Sequence, residues 1–150
     1  MGLIKKVVYT AGTYDLFHFG HLNILLKAKA LGDYLIVGVS TDSLISKYKG
    51  LKPIICYGDR VSIIKELKCV DKVIKQSRFF DIKQLKKYNI STIVLGSDWC
   101  DKDFPELDKC LKDLKIKIIY VPYTKRLSTS KIKEKIIRNA VEIIKSQTKR

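Results

Sequence analysis

The sequence predicts a doubly wound α/β fold, in which a five-stranded parallel sheet carries helices on both faces. Short apolar runs rich in Val and Ile alternate five times with amphipathic runs, as strands and helices do when right-handed crossovers join parallel strands. The chain has 150 residues, of which 46% are hydrophobic, and a chain of this length can fill one core. No linker rich in Pro or Ser and no internal repeat divides it, so we expect a single domain over residues 1–150.

Each predicted strand is short and rich in Val and Ile, which is typical of strands buried in a parallel sheet. The helices between them have apolar residues at helical spacing. The expected strands are Lys5–Thr10, Tyr34–Ser40, Lys72–Lys75, Thr92–Gly96 and Ile116–Val121. The expected helices are His21–Leu31, Asp59–Leu67, Asp81–Tyr88, Pro105–Leu114 and a last helix over about 128–146.

The chain is strongly basic, with 30 Lys and Arg residues against 15 Asp and Glu and a net charge of +15. Such a charge attracts polyanions of any kind, nucleoside triphosphates included, and does not choose among them. Many lysines lie on the last helix, whose apolar residues form one stripe, so we interpret most of its charge as a solvated face. The same pattern also permits a helix on a membrane surface. The stripe comprises Ile132, Ile136, Ile137, Ala140, Val141 and Ile144.

The cysteines and the hydropathy of the sequence indicate the cellular compartment in which the protein is expected. Cys56, Cys69, Cys100 and Cys110 show neither CxxC pairing nor regular spacing, which favours reduced thiols over a disulfide framework or a zinc site. No run of about 18 uncharged apolar residues exists, and the start of the chain lacks the order of a signal peptide. We expect a cytoplasmic protein that binds neither nucleic acid nor a membrane.

The segment after the first strand is the strongest sign of function. Gly12 and Thr13 follow the strand, and His18 and His21 stand three residues apart at the opening of a helix. The first turn of a helix has unpaired N–H groups and the positive end of the helix dipole, so it favours a phosphate. Two imidazoles there can donate hydrogen bonds to charge that develops on a phosphoryl group. The pair could also bind zinc, but no third ligand stands at a plausible spacing, so we expect no metal-binding residues.

Further polar clusters follow other predicted strands. In an open parallel sheet, ligands bind beyond the carboxyl ends of the strands, where the strand order reverses. These clusters therefore predict a nucleotide site at that edge. They are Gly96-Ser97-Asp98-Trp99, Thr124 to Ser130, and Ser40-Thr41-Asp42 running on to Lys47, Lys49 and Lys52, which we place in a loop.

The run Gly12-Thr13-Tyr14-Asp15, then His18-Phe19-Gly20-His21, resembles the GTFD and HxGH signature of the nucleotidyltransferase superfamily. More narrowly it resembles the cytidylyltransferases, above all those for glycerol 3-phosphate, over about Lys5 to Ile136. HxGH alone is moderately specific, and the ordered set of matches is much more so. The other matching segments are Leu31 to Val37, Ser40 to Asp42, Val70 to Ile74, Gly96 to Trp99 and Leu127 to Ile132.

The resemblance implies a Rossmann-like fold and a reaction. A phosphate oxygen of the acceptor attacks the α-phosphorus of CTP, and pyrophosphate leaves without a covalent enzyme intermediate. The partners are then CTP and a small phosphorylated alcohol, with glycerol 3-phosphate the leading acceptor. The resemblance also implies a homodimer and Mg²⁺ bound mainly through the nucleotide phosphates.

The resemblance assigns roles to residues of this chain. It makes His18, His21 and Lys49 catalytic, with Lys49 bridging the two substrates' phosphates. It implies that the acceptor's phosphate is bound by Arg60, Lys49, Lys68 and Lys47. The nucleotide-binding residues it implies are Gly12, Thr13, Tyr14, Asp15, Gly96, Asp98, Arg126, Ser128 and Thr129.

The chain also departs from the family's pattern. Lys68 stands where the family has an arginine, which keeps the charge and loses the planar fork. Tyr123 stands at another arginine position and Arg126 at a glycine position, so it stays open whether Arg126 replaces the missing arginine.

Three other interpretations stay open. The acceptor could be phosphoethanolamine or phosphocholine, or the enzyme could be an adenylyltransferase for a sugar phosphate or FMN, since these use a similar scaffold. The chain could also be a basic binding protein without catalytic activity. The presence of both histidines, Lys49 and Arg60 argues against the last interpretation.

Overall fold

The computed structural model describes residues 6–100 and 105–148 and shows the predicted doubly wound α/β fold. Within those residues, all neighbouring strands pair in parallel, in the order β3-β2-β1-β4-β5. The order reverses beside β1, because the chain builds outward to β3 and then returns to place β4 on the other side. The strands are β1 (Val7–Gly12), β2 (Tyr34–Ser40), β3 (Lys72–Gln76), β4 (Thr92–Gly96) and β5 (Lys117–Val121).

The helices agree with the prediction except at one place. Residues after β2, which we expected to form a loop, form a helix, and the loop prediction was wrong. This helix, α2, is eight residues long and buries one residue, Ile45. Gly50 ends it in the left-handed region at φ 73°, which glycine adopts without a side-chain clash. The helices are α1 (Phe19–Lys29), α2 (Asp42–Lys49), α3 (Tyr57–Lys65), α4 (Ile82–Lys87), α5 (Pro105–Asp113) and α6 (Thr129–Gln147).

The core has two parts, one on each face of the sheet. Alternate strand residues point to opposite faces, as the pleat requires. Ile36 on β2 belongs to the part that includes Leu85 of α4 and Leu111 of α5, whereas its neighbour Val37 belongs to the part that includes Leu25 of α1 and Ile64 of α3. Burial on both faces explains why the three central strands, β1, β2 and β4, are apolar at most positions, whereas the edge strand β3 carries exposed lysines.

The last helix is attached at its start and exposed along its length. Ser128 caps it by accepting from the backbone N–H of Lys131 at 3.2 Å. The predicted apolar stripe is present but is not buried against the described part of the chain: Ile136 is 56% exposed, Ile137 64% and Ile144 62%. Within residues 6–100 and 105–148, no helix combines the length and the apolar character needed to cross a membrane.

Arg60 joins three segments at the edge of the sheet where the strands end. Its side chain is fully buried, and its N–H groups donate to Ile55 O (2.9 Å), Ser40 O (2.9 Å), Asp42 Oδ1 (2.5 Å) and Thr13 O. The segments that it joins are the β1–α1 turn, the start of α2 and the loop before α3.

This arrangement corrects the role that we predicted for Arg60. Four of the five N–H groups of its guanidinium are bonded to protein oxygens, and the side chain is not exposed to substrate. It holds the segments that form the site together and does not present its fork to an acceptor's phosphate.

Replacing Arg60 with Met should therefore lower stability. Removing a buried cation from its partners leaves carbonyl oxygens and a carboxylate unpaired, so we expect the free energy of unfolding to fall by about 3 kcal/mol. Urea unfolding measures this, with the exposed Arg78→Met as the matched control, expected within about 0.5 kcal/mol of wild type. Equal stability of the two variants would return Arg60 to a role in ligand binding.

Candidate active site

A cavity of about 490 Å³ opens at the carboxyl edge of the sheet, where the order of the strands reverses. Cavities of this size are typical of small-molecule sites. Most of the residues that the sequence pointed to line it. Those residues are Gly12, Thr13, Tyr14, Asp15, His18, His21, Lys49, Gly96, Asp98, Ser128 and Thr129.

Three of the other predicted residues lie elsewhere on the surface. Lys47, Lys68 and Arg126 are exposed and do not line the cavity. Lys47 and Lys49 are two residues apart on α2, so they point to different sides of the helix, and only Lys49 lines the cavity. Arg126 does not take the place of the missing family arginine in this structure, whereas Tyr123, at that arginine position, does line the cavity.

The turn between β1 and α1 has an unusual backbone. Tyr14 and Leu16 have φ of 55° and 48°, in the left-handed region that side chains other than glycine seldom adopt. Such strain persists only where the surroundings enforce it, and it is found most often at functional sites. Here Arg60 bonds to the carbonyl of Thr13 and the Asp15 side chain accepts from the next loop, so both ends of the turn are fixed.

Asp15 is buried and links three parts of the site. Its carboxylate accepts from the N–H groups of Ile54 (3.0 Å) and Ile55 (2.9 Å) and pairs with Lys133 of α6 at 3.1 Å. Burial would raise its pKa, but the N–H groups of Ile55 and Ile54 and the ammonium of Lys133 outweigh burial and hold the pKa below its usual value. Asp15 therefore stays ionised and fixes the loop and α6 against the turn.

The two histidines stack on each other above the first turn of α1. Their ring centroids are 3.9 Å apart and their planes differ by 21°. His18 caps the helix, because its Nδ1 accepts from the N–H of Gly20 at 3.0 Å. Glycine at position 20 leaves room for this position of the His18 ring, since a Cβ there would lie 2.8 Å from Cε1 of the imidazole.

Both imidazoles are neutral at pH 7. Burial lowers the pKa of His18, and burial followed by the neighbouring His18 lowers the pKa of His21 to about 3. The hydrogen bond from Gly20 makes Nδ1 of His18 the acceptor, so Nε2 carries the proton.

The proton on His18 faces the start of α6. Thr129 Oγ1 donates to the carbonyl of Asp15 at 3.0 Å and lies 3.5 Å from His18 Nε2, so it can only accept from that nitrogen. A contact of 3.5 Å is long for a hydrogen bond, and an anion at this point would offer the N–H a better acceptor. Ser128, Thr129 and Ser130 at the start of α6 line the same cavity, and the first turn of a helix has N–H groups without helical partners, which favour an anion.

Other polar groups stand on two sides of this centre. On the side of β4 and β5, Asp98 and Trp99 follow β4 and line the cavity. Tyr123 lies on the same side, and its backbone N–H donates to Ser97 Oγ at 3.2 Å. On the side of β2 and β3, Lys49 and Lys52 line the cavity together with Gln76.

The lining residues to which sequence reasoning assigned no role include two that are polar and face the proposed chemistry, Lys133 and Gln76. Lys133 stands four residues after Thr129, which places both on one face of α6, and this spacing was a usable signal. Gln76 is the last residue of β3, one beyond the predicted end of the strand, and the rule that ligands bind beyond strand ends could have indicated it.

Metal ligands are scarce among the described residues. Residues 6–100 and 105–148 contain no group of three or more His, Cys, Asp or Glu side chains that could hold a metal ion. Charge in the cavity comes instead from Lys49, Lys52 and Lys133, with Asp15 and Asp98 of opposite sign.

Comparisons with known proteins agree with the site. Residues 9–139 match the sequence model of the cytidylyltransferase-like family. Glycerol-3-phosphate cytidylyltransferase from Bacillus subtilis (strain 168) is 42% identical over 135 residues, which cover 89% of this chain and 98% of that protein. The enzyme of the same name from Staphylococcus aureus is 36% identical and is covered to 95% of its length by 87% of this chain.

A solved structure has the same fold. The lipopolysaccharide core biosynthesis protein from Thermoplasma volcanium GSS1 superposes with a TM-score of 0.64 at 30% identity, over 80% of this chain and 97% of that one. The family match extends from the first strand into the last helix and includes both histidines and the turn that presents them. The chain therefore belongs to the cytidylyltransferase-like family.

Proposed function

We propose that the protein transfers CMP from CTP to glycerol 3-phosphate, giving CDP-glycerol and pyrophosphate. The observation that carries the proposal is the stack of neutral His18 and His21, in which Nε2 of His18 carries a proton and lies 3.5 Å from Thr129 Oγ1 at the start of α6. Relatives named glycerol-3-phosphate cytidylyltransferase, which this chain covers almost from end to end, support this acceptor.

The cavity divides between the two substrates. The side of β4, β5 and α6, with Gly96, Asp98 and Thr129, is the nucleotide side, where the triphosphate lies against the start of α6. The side of β2, α2 and β3, with Lys49 and Gln76, is the acceptor side. The histidines stand between the two, where the phosphates must meet.

The reaction is a single displacement. A phosphate oxygen of the acceptor forms a bond to the α-phosphorus of CTP, and the bond from that phosphorus to the bridging oxygen breaks as pyrophosphate leaves. The protein positions the two anions and stabilises the charge that develops on the oxygens. His18 donates from Nε2, and the ammonium of Lys49 offsets the repulsion between the two phosphates.

Mg²⁺ completes the proposal as a companion of the nucleotide. Triphosphates are handled with a divalent cation that offsets their charge. Since the described residues offer no cluster of metal ligands, the phosphate oxygens supply most of the ligands and the ion enters with CTP.

We also propose a cytoplasmic homodimer. The free cysteines fit a reducing compartment. The exposed stripe of α6, which includes Ile137 and Ile144, is typical of a surface that another molecule covers. A solution mass equal to that of one chain, 17.2 kDa, would contradict the dimer, and recovery in a membrane fraction would contradict the location.

Pyrophosphate release tests the reaction. The purified protein should release pyrophosphate with CTP, Mg²⁺ and glycerol 3-phosphate, and chelation of Mg²⁺ with EDTA should abolish the release. ATP in place of CTP, and phosphoethanolamine, phosphocholine, a sugar 1-phosphate or FMN in place of glycerol 3-phosphate, serve as comparisons. Release with ATP and an acceptor but not with CTP would make the protein an adenylyltransferase. Release with none of the pairs would contradict the proposal.

Replacing His18 tests its part in the reaction. His18→Asn keeps an oxygen that can accept from Gly20 and removes the Nε2 proton donor, so the helix cap survives while the donor is lost. We expect turnover to fall by about a hundredfold or more, with an unchanged melting temperature, and the same loss of turnover in His18→Ala. Turnover near that of wild type in either variant would remove His18 from the mechanism.

Lys49 and Lys47 form a matched pair on α2, and only Lys49 lines the cavity. Because hydrogen bonds to charged groups are strong, we expect Lys49→Ala to lower kcat/KM for the acceptor at least about tenfold. Lys47→Ala should stay within about twofold of wild type, since exposed charges away from a site contribute little. If Lys49→Ala is as active as wild type, the role passes to Lys52, and Lys52→Ala should then lose activity.

A further inference from the structure

Gln76 is a buried polar residue at the acceptor side of the cavity. It ends β3 beside Ser40, its register partner on β2, and only 5% of its surface is exposed. Its carbonyl oxygen accepts from Ser40 Oγ at 2.6 Å, and its backbone oxygen accepts from the N–H of Thr41 at 3.0 Å. The length of 2.6 Å fits an O–H donor to an oxygen and is short for an N–H donor, which assigns the two ends of the amide.

The other end of this amide is unused by the protein. Within residues 6–100 and 105–148, the Gln76 side chain makes one hydrogen bond, the one that its oxygen accepts from Ser40, and the side chain lines the cavity. Because Ser40 holds the oxygen, the amide is fixed with its two N–H donors available to a ligand.

We propose that Gln76 selects the acceptor by donating from Nε2 to one of its hydroxyl oxygens. This inference rests on the proposed function and adds the residue that distinguishes a phosphorylated polyol from a phosphate that lacks hydroxyl groups. The lysines on this side of the cavity, Lys49 and Lys52, hold the phosphate, and Gln76 holds the other end of the molecule.

The same geometry disfavours an acceptor with an ammonium group. An ammonium has only N–H donors, and the available end of Gln76 is also a donor, so the two cannot bond. The amide oxygen, which could accept from an ammonium, is already bonded to Ser40. A site built to bond a hydroxyl group rejects an analogue that lacks it, because the site's own polar group is then left unpaired.

The test compares glycerol 3-phosphate with propyl phosphate, which lacks both hydroxyl groups. Wild-type protein should show a kcat/KM for glycerol 3-phosphate at least about tenfold above that for propyl phosphate. Gln76→Met, which removes the donors and keeps the size, should bring this ratio to within about threefold of one, with the KM for CTP unchanged.

A second variant guards against poor folding of the first. Gln76→Glu keeps an oxygen for Ser40 and replaces the donors with a charged acceptor, so it should lose activity with glycerol 3-phosphate at least about tenfold and keep the KM for CTP. Gln84→Glu is the matched control, since Gln84 donates to the carbonyl of Lys75 and lies outside the cavity. It should retain the wild-type ratio.

The outcomes separate this inference from the proposed function. A wild-type protein that does not distinguish the two phosphates, or a Gln76→Met variant that keeps the wild-type ratio, would overturn the selection by Gln76. Release of no pyrophosphate from CTP with either phosphate by the wild-type protein would overturn the proposed function itself.

Discussion

The buried guanidinium of Arg60 is the interaction on which the rest of the site depends. Its bonds to Thr13, Ser40 and Ile55 tie the β1–α1 turn, the end of β2 and the loop before α3 at one point. All three segments line the cavity, and the loop before α3 also supplies the N–H groups that hold Asp15. The buried positive charge of Arg60 is compensated because carbonyl oxygens and the Asp42 carboxylate accept hydrogen bonds from the guanidinium.

From this fixed turn the order of the site extends outward through hydrogen bonds of defined direction. Asp15, ionised and buried, pairs with Lys133 through its carboxylate. Its backbone carbonyl accepts a hydrogen bond from the hydroxyl of Thr129. In its contact with His18, the Thr129 hydroxyl can then only be the acceptor. The hydrogen bond that Nδ1 of His18 accepts from Gly20 places the imidazole proton on Nε2. The donor that we assign to the reaction is therefore oriented before any substrate binds, which is what charge stabilisation in a transition state requires.

The sequence predicted the parts of the structure that local patterns encode. Strands buried on both faces are apolar runs, and the HxGH segment occupies the helix start that its spacing indicated. The prediction missed α2, which is only eight residues long and buries only Ile45, and with it the separation of Lys49 from Lys47. The inward turn of Arg60 depends on acceptors 20 and 47 residues away, and the bond of Gln76 to Ser40 spans 36 residues. Such contacts exist only after the strands have been ordered in the sheet.

The division of the cavity into a nucleotide side and an acceptor side is the central claim, and a crystal structure with CTP alone tests it most directly. The account predicts cytidine on the side of β4 and β5 near Asp98, with the triphosphate against His18 and the start of α6. Lys49 and Gln76 should then remain open toward the unfilled half of the cavity. Cytidine found over Gln76, with the triphosphate turned away from α6, would contradict the division and the role assigned to each side.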